Sequence, residues 1–212
     1  MSVQIVDISD RTSGASARIS VGQGFNCFSW KPVLDDGPRE MLWADPAFDT
    51  GEKRPSGSGI PLLFPFPGRI GAAAYTFAGC DYKLEPGDAF GNAIHGFVLN
   101  RPWRIVEQSP ARLVGEFQAS TDDKTILERW PSDFRIRVSY EVRGRELVSD
   151  IEYQNTGTGP LPCGFATHAY FRLPLMEGSA VADTVVSAPV PKFWELDRML
   201  PTGKLLPAPA NQ

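Results

Sequence analysis

This sequence has few cysteines and no excess of basic residues. Its three cysteines are odd in number and widely spaced, without a CxxC pair, so neither a disulfide framework nor a zinc site is predicted. Lysine and arginine number 21 against 25 acidic residues, which gives a net charge of −4. Because the chain is mildly acidic and has no basic run, nucleic acid and membranes are not expected as partners, whereas small neutral ligands are compatible with it.

Long hydrophobic runs are missing as well. The first residues read MSVQIVDISDRTSG and lack the basic region and apolar core of a signal peptide. No apolar stretch approaches the length of a transmembrane helix. Together with the unpaired cysteines, these absences predict a cytoplasmic protein.

Helical periodicity is also absent, and strand periodicity takes its place. No window of a dozen residues repeats apolar side chains every 3.6 positions. Residues 134–142 instead alternate apolar and polar side chains as FRIRVSYEV, the pattern of a half-buried strand. The turn-like Arg143-Gly144-Arg145 follows and alternation then resumes, which predicts a hairpin. The 20 glycines and 19 prolines divide the rest into short strands, so we expect an all-β sandwich or barrel.

One domain is predicted over residues 1–212, because the chain has no internal repeat and no low-complexity linker. Weaker strand patterns include GFATHAYFRL, VADTVVSA and KFWEL. Residues 125–130 have room for one helical turn. The last segment, LPTGKLLPAPANQ, is rich in proline and alanine and is predicted to end without a closing strand.

Three segments depart from the strand pattern and carry candidate site residues. The proline-rich GIPLLFPFPGRI either presents Arg69 rigidly to hydroxyl or carboxylate oxygens or is an edge segment with a solvated arginine. GNAIHGFVLNRPW places Asn92 and His95 in a glycine-rich loop, where the histidine either binds a ligand or makes one structural hydrogen bond. In CGFATHAYF, His168 and Tyr170 share one strand face. That imidazole is either a proton donor and acceptor near pH 7 or a satisfied core histidine.

Motifs for several other chemistries are missing. The sequence has no GxGxxG before a helix, no GxxxxGK[ST], no GxSxG and no HExxH. It therefore gives no sign of a dinucleotide or nucleotide cofactor, a serine nucleophile or a metal centre.

The three segments, in this order, resemble the signature of the aldose 1-epimerase (galactose mutarotase) family. That family shows a proline-rich run ending in Arg-Ile, then His-Gly followed shortly by tryptophan, then His-x-Tyr-Phe. Here the corresponding stretches are PFPGRI, NAIHGFVLNRPW and THAYFRL. WPSDFRIRVSYEV and LPTG also look like family elements, so the resemblance spans roughly residues 20–205. Both histidines of the chain fall on signature positions.

The resemblance implies a galactose mutarotase-like antiparallel β-sandwich that interconverts the α and β anomers of a free hexose without a cofactor or a metal. A general acid protonates the ring oxygen while a general base removes the proton of the C1 hydroxyl. His168 would be the acid and His95 would act beside it. Arg69, His95, Asn92 and Tyr170 would bind the sugar.

The chain also departs from the family pattern. The family's general base is a glutamate near the C-terminus, and this sequence ends before it and before the closing strands of the sandwich. Glu177 is the nearest carboxylate after the THAYFRL segment. Gly68 stands where the family more often has asparagine. The alternatives are a non-catalytic carbohydrate-binding protein of the same fold, or a hexose-6-phosphate 1-epimerase using Arg172 or Lys192 for the phosphate.

Overall fold

Short antiparallel strands are the main regular structure of the computed structural model, which describes residues 3–176 and 178–208. Glu177 lies outside this described part. The strands, in chain order, are β1 (Ile5–Ser9), β2 (Ser16–Ser20), β3 (Asn26–Lys31), β4 (Val33–Leu34), β5 (Gly37–Pro38), β6 (Leu62–Leu63), β7 (Arg69–Ile70), β8 (Ala74–Phe77), β9 (Cys80–Lys83), β10 (Ala93–Ile94), β11 (Arg104–Gln108), β12 (Arg112–Gln118), β13 (Phe134–Arg143), β14 (Glu146–Asn155), β15 (Ala166–Thr167), β16 (Lys192–Asp197) and β17 (Leu200–Pro207).

Helical structure is confined to single turns. Over residues 3–176 and 178–208 there is one α-helix, α1 (Ala119–Asp122), and no helix there is long and apolar enough to cross a membrane. The 3₁₀ turns are Phe48–Thr50, Pro55–Gly57, Gly71–Ala73, Val98–Asn100, Lys124–Glu128 and Val181–Asp183.

The chain divides into two compact units. The first contains the described residues up to Pro67 together with His95–Arg172. The second contains Gly68–Ile94 and the described residues from Leu173 onward. The prediction of one domain over residues 1–212 stays a prediction.

The first unit contains the two larger sheets and confirms the all-β, antiparallel prediction. One sheet has the order β1-β2-β3 and the other the order β11-β12-β13-β14, while β4 pairs with β5 and β6 with β15. The predicted hairpin is confirmed, because β13 and β14 pair from Phe134 opposite Asn155 to Arg143 opposite Glu146.

Aromatic side chains fill the core of the first unit. The ring of Phe25, which precedes β3, is fully buried and stacks on Trp103 at 5.4 Å and on Tyr140 of β13 at 5.7 Å. Gly115 of β12 makes room for this ring, because a Cβ at that position would lie 2.4 Å from a Phe25 ring carbon. Full burial of a large apolar side chain stabilises a fold by about 1.5–3 kcal/mol, so this cluster is a principal anchor of the unit.

The second unit consists of three strand pairs. They are β7 with β10, the β8–β9 hairpin with Tyr75 stacked on Tyr82, and the β16–β17 hairpin. The last segment contains a strand of this hairpin, since Leu200–Pro207 pairs with Lys192–Asp197. Both strands are edges of a two-stranded sheet, a position where proline is tolerated because not every N–H is needed in a ladder.

Two strand predictions differ from the structure. Residues of VADTVVSA form one 3₁₀ turn, and Val185 and Val186 are exposed without a partner strand among the described residues. Their β-branched side chains favour strands, but strand pairing needs a second strand beside them. Within GFATHAYFRL only Ala166–Thr167 forms a regular strand, because its partner Leu62–Leu63 lies between Pro61 and Pro65, which have no backbone N–H to donate.

The one predicted helical turn is present but begins one residue earlier. Lys124–Glu128 form a 3₁₀ turn, and the Asp123 side chain accepts a hydrogen bond from the Thr125 N–H at 3.1 Å. This cap satisfies a backbone donor that the first turn leaves without an intrahelical partner.

Candidate functional site

The two histidines of the chain come together in the first unit. The ring centroids of His95 and His168 are 6.1 Å apart, with an interplanar angle of 62°. His168 is exposed and His95 is half-buried. The alternative of a buried core histidine is therefore excluded for His168, because a solute can reach its imidazole.

His95 is held by an unusual backbone conformation. Its φ is +66°, in the left-handed region that most side chains avoid, and Gly96 follows with φ +75°. The chain approaches Phe64 so closely here that a Cβ on Gly96 would lie 2.1 Å from the Phe64 carbonyl oxygen. The Phe97 N–H donates to that same oxygen at 2.8 Å. The glycine after His95 is thus needed to bring the histidine against the proline-rich segment.

His168 is positioned by backbone hydrogen bonds to the first residues of that segment. Its N–H donates to the Pro61 carbonyl at 3.1 Å, and the Tyr170 N–H donates to the Gly59 carbonyl at 2.9 Å. This two-residue spacing places both side chains on one face, as the sequence predicts.

Tyr170 packs directly on the His168 imidazole. The two rings stack with centroids 4.8 Å apart and an interplanar angle of 27°. The phenol O–H donates to the Ser56 carbonyl at 2.8 Å. The tyrosine is therefore fixed at both ends, by its backbone and by its hydroxyl, and it restricts the orientation of the imidazole.

Arg69 lies in the second unit and donates a hydrogen bond to the carboxylate of Asp88, which is not among the predicted site residues. Its Nε donates to Asp88 Oδ2 at 2.8 Å, and the two side chains are 21% and 9% exposed. Arg69 lies in β7, which pairs with β10 so that Arg69 is opposite Ile94. The signal for Asp88 was in the sequence: an aspartate followed by Gly91-Asn92 is typical of a turn built on a side-chain carboxylate.

Asn92 is buried and uses its side chain within the second unit. Its Nδ2 donates to Asp88 Oδ2 at 3.1 Å and to the Arg198 carbonyl at 3.3 Å. Its Oδ1 accepts from the Ala72 N–H at 3.2 Å. These bonds connect three segments of the unit, and the direct role of Asn92 in sugar binding stays a prediction.

The structure thus places the five predicted site residues in two sets. His95, His168 and Tyr170 form one cluster in the first unit, and Arg69 and Asn92 share Asp88 in the second. No group of three or more His, Cys, Asp or Glu side chains that could hold a metal ion occurs within the described ranges.

Comparison with known proteins gives a consistent assignment. The sequence profile of the family described as aldose 1-epimerase matches residues 9–212. The chain is 27% identical to the galactose mutarotase of Sus scrofa over 140 residues, which is 66% of this chain and 40% of that protein.

Two solved structures show the same fold. A galactose mutarotase-like protein from Clostridium acetobutylicum has a TM-score of 0.78 at 24% identity, covering 97% of this chain and 65% of that one. An aldose epimerase homologue from C. elegans has a TM-score of 0.73 at 21% identity, covering 97% and 61%.

The matched profile and these folds define a β-sandwich of the galactose mutarotase type. The chain belongs to the aldose 1-epimerase family. It spans 40% of the length of the porcine relative and 65% of the clostridial structure. The comparisons do not favour a hexose-6-phosphate epimerase or a non-catalytic binding protein over this family's own activity.

Proposed function

We propose that this protein catalyses the interconversion of the α and β anomers of a free hexose. The observation that supports this proposal is the neighbouring pair of imidazoles, His95 and His168, whose ring centroids are 6.1 Å apart and of which His168 is open to solvent. Anomer exchange needs a proton delivered to one oxygen of the hemiacetal and another removed from the adjacent one. Imidazole is the side chain best suited to both transfers near neutral pH.

In the proposed reaction, protonated His168 gives its proton to the ring oxygen. The C1–O5 bond breaks as the C1 hydroxyl proton passes to neutral His95, and the C1–O1 bond becomes the aldehyde carbonyl. Rotation about C1–C2 presents the other face of the carbonyl. The same steps in reverse then close the ring and restore both imidazoles, so that no electrons or groups are gained or lost.

The other predicted site residues have supporting roles in this proposal. Tyr170 restricts the imidazole of His168 by stacking on it. Arg69 offers its guanidinium and Asn92 its side-chain amide to sugar hydroxyls. Orienting residues of this kind lower the barrier because the reacting groups are already aligned when the sugar binds.

Location and domain organisation are part of the same proposal. The three cysteines Cys27, Cys80 and Cys163 are free thiols, which supports a reducing compartment such as the cytoplasm. We treat residues 1–212 as one aldose 1-epimerase-like domain that acts on a free hexose.

The test is polarimetry of freshly dissolved α-D-galactose and α-D-glucose with and without the protein. We expect faster relaxation with wild type and a loss of about 100-fold or more in His168→Asn, since a positioned general acid contributes 10²–10⁴. Far-ultraviolet circular dichroism should show that the variant is folded. Equal rates for variant and wild type would contradict the role of His168.

A further inference from the structure

The Asp88 carboxylate is an organising centre of the second unit. Its Oδ1 accepts from the Phe90 and Asn92 N–H groups, each at 2.9 Å. Its Oδ2 accepts from the Asn92 side-chain amide at 3.1 Å and from Arg69 Nε at 2.8 Å. Four donors therefore converge on one side chain that is only 9% exposed.

This carboxylate is ionised throughout the physiological range. Burial acts to raise the pKa of Asp88, but the hydrogen bonds from Asn92, Phe90 and Arg69 outweigh it and lower the pKa from 3.8 to about 2. The negative charge opposite Arg69 is therefore constant at any pH where the protein would act.

Arg69 has further donors beyond the one it gives to Asp88. A guanidinium carries five N–H groups, and here the Nε–H is used while the Nη1 and Nη2 groups have no recorded partner among residues 3–176 and 178–208. The side chain is 21% exposed, so these groups are partly open to a ligand. A guanidinium fixed through Nε presents its outer edge in a defined direction, which a freely rotating side chain does not.

We infer that Asp88 is a positioning residue that holds Arg69 so that its two Nη groups bind a pair of neighbouring ligand oxygens. Two hydroxyl oxygens on neighbouring carbons of a hexose form such a pair, and their spacing matches that of the N–H donors on the two Nη atoms. The identity of the ligand, a hexose, rests on the proposed function. The hydrogen bond between Asp88 and Arg69 is independent of that function.

The first experiment needs no sugar. In wild-type protein labelled with ¹⁵N and ¹³C, the Arg69 Nε–H signal, identified by its loss in Arg69→Lys, should show a through-hydrogen-bond coupling to the Asp88 carboxyl carbon. In Asp88→Asn, the solvent exchange of that Nε–H should speed up at least tenfold. Asp81→Asn is the matched control, since Asp81 lies in β9 of the same unit and accepts one bond from Thr76; its Arg69 exchange should equal wild type.

Absence of the coupling in wild type, or equal exchange in Asp88→Asn and Asp81→Asn, would overturn the inference. The wild-type coupling decides the point even where Asp88→Asn does not fold.

The second experiment tests the ligand. Titration of D-galactose into wild type, Asp88→Asn and Asp81→Asn should give an affinity at least tenfold weaker in Asp88→Asn alone. A faster Nε–H exchange with unchanged galactose affinity would overturn the assignment of Arg69 to sugar oxygens. Wild type that neither binds galactose nor accelerates its mutarotation would contradict the proposed function, while the exchange measurement would still decide the role of Asp88.

Discussion

At the scale of single residues, the imidazole of His168 depends on its neighbour Tyr170. Tyr170→Phe keeps the stacked ring but loses the bond to the Ser56 carbonyl, which is worth about 0.5–1.5 kcal/mol. We expect mutarotation to slow by about 2- to 10-fold in that variant, and more in Tyr170→Leu, which also loses the stack. The rates are measured by polarimetry, with thermal unfolding as the control for folding. A Tyr170→Leu variant with wild-type activity would show that the stack is irrelevant to catalysis.

The sequence predicted the identity of the candidate site residues better than it predicted their neighbours in the folded protein. Two histidines in signature motifs could be singled out, and the two-residue spacing of His168 and Tyr170 correctly placed them on one face. The approach of His95 to His168 could not be predicted, because it depends on a left-handed backbone and on Gly96 packing against Phe64. Asp88 was missed because aspartate is usually an exposed residue, although the loop that contains it has the residues of a turn.

At the scale of elements, Gly115 allows β12 to pack on Phe25. Gly115→Ala would place a Cβ 2.4 Å from the ring, and the ring cannot retreat because it is stacked on Trp103 and Tyr140. We expect a loss of about 1–3 kcal/mol in the free energy of unfolding, measured by denaturant titration. Gly159→Ala is the matched control, since nothing lies within 4 Å of a Cβ there. Equal stability of the two variants would contradict this packing.

Strand prediction succeeded where apolar and polar residues alternate and the partner strand follows in the sequence. The alternation in residues 134–142 was enough, because β14 follows after a two-residue turn and pairs along its whole length. Leu200–Pro207 has a partner in the adjacent KFWELD segment, although its prolines leave no clear alternation of apolar and polar residues. The strand prediction is wrong for VADTVVSA, whose β-branched residues have no partner strand among the described residues.

At the scale of the whole molecule, hydrogen-bonded carboxylates contribute to the response to acid. The Asp10 side chain accepts hydrogen bonds from the Gly144 and Thr12 N–H groups and the Ser13 hydroxyl, which lower its pKa from 3.8 to about 2. A depressed pKa contributes stability that is complete above the unfolded value near 4 and is lost as the pH falls through about 2.

The Asp10→Asn variant should therefore be less stable than wild type at pH 5, and the difference should shrink as the pH falls from about 4 to 2. The reason is that wild type alone loses the favourable ionisation of this carboxylate in that window. Thermal unfolding of both proteins at several pH values measures the effect. A difference in melting temperature that stays constant over the series would contradict the assignment.

The central claim is that two neighbouring imidazoles exchange protons with a hexose, and the mutarotation rates of the two single histidine variants test it most directly. Because one imidazole gives a proton to the sugar while the other accepts one, we predict that His95→Asn and His168→Asn each lose about 100-fold or more of the rate enhancement, measured by polarimetry of freshly dissolved α-D-galactose. A rate enhancement that survives unchanged in either variant would contradict the claim.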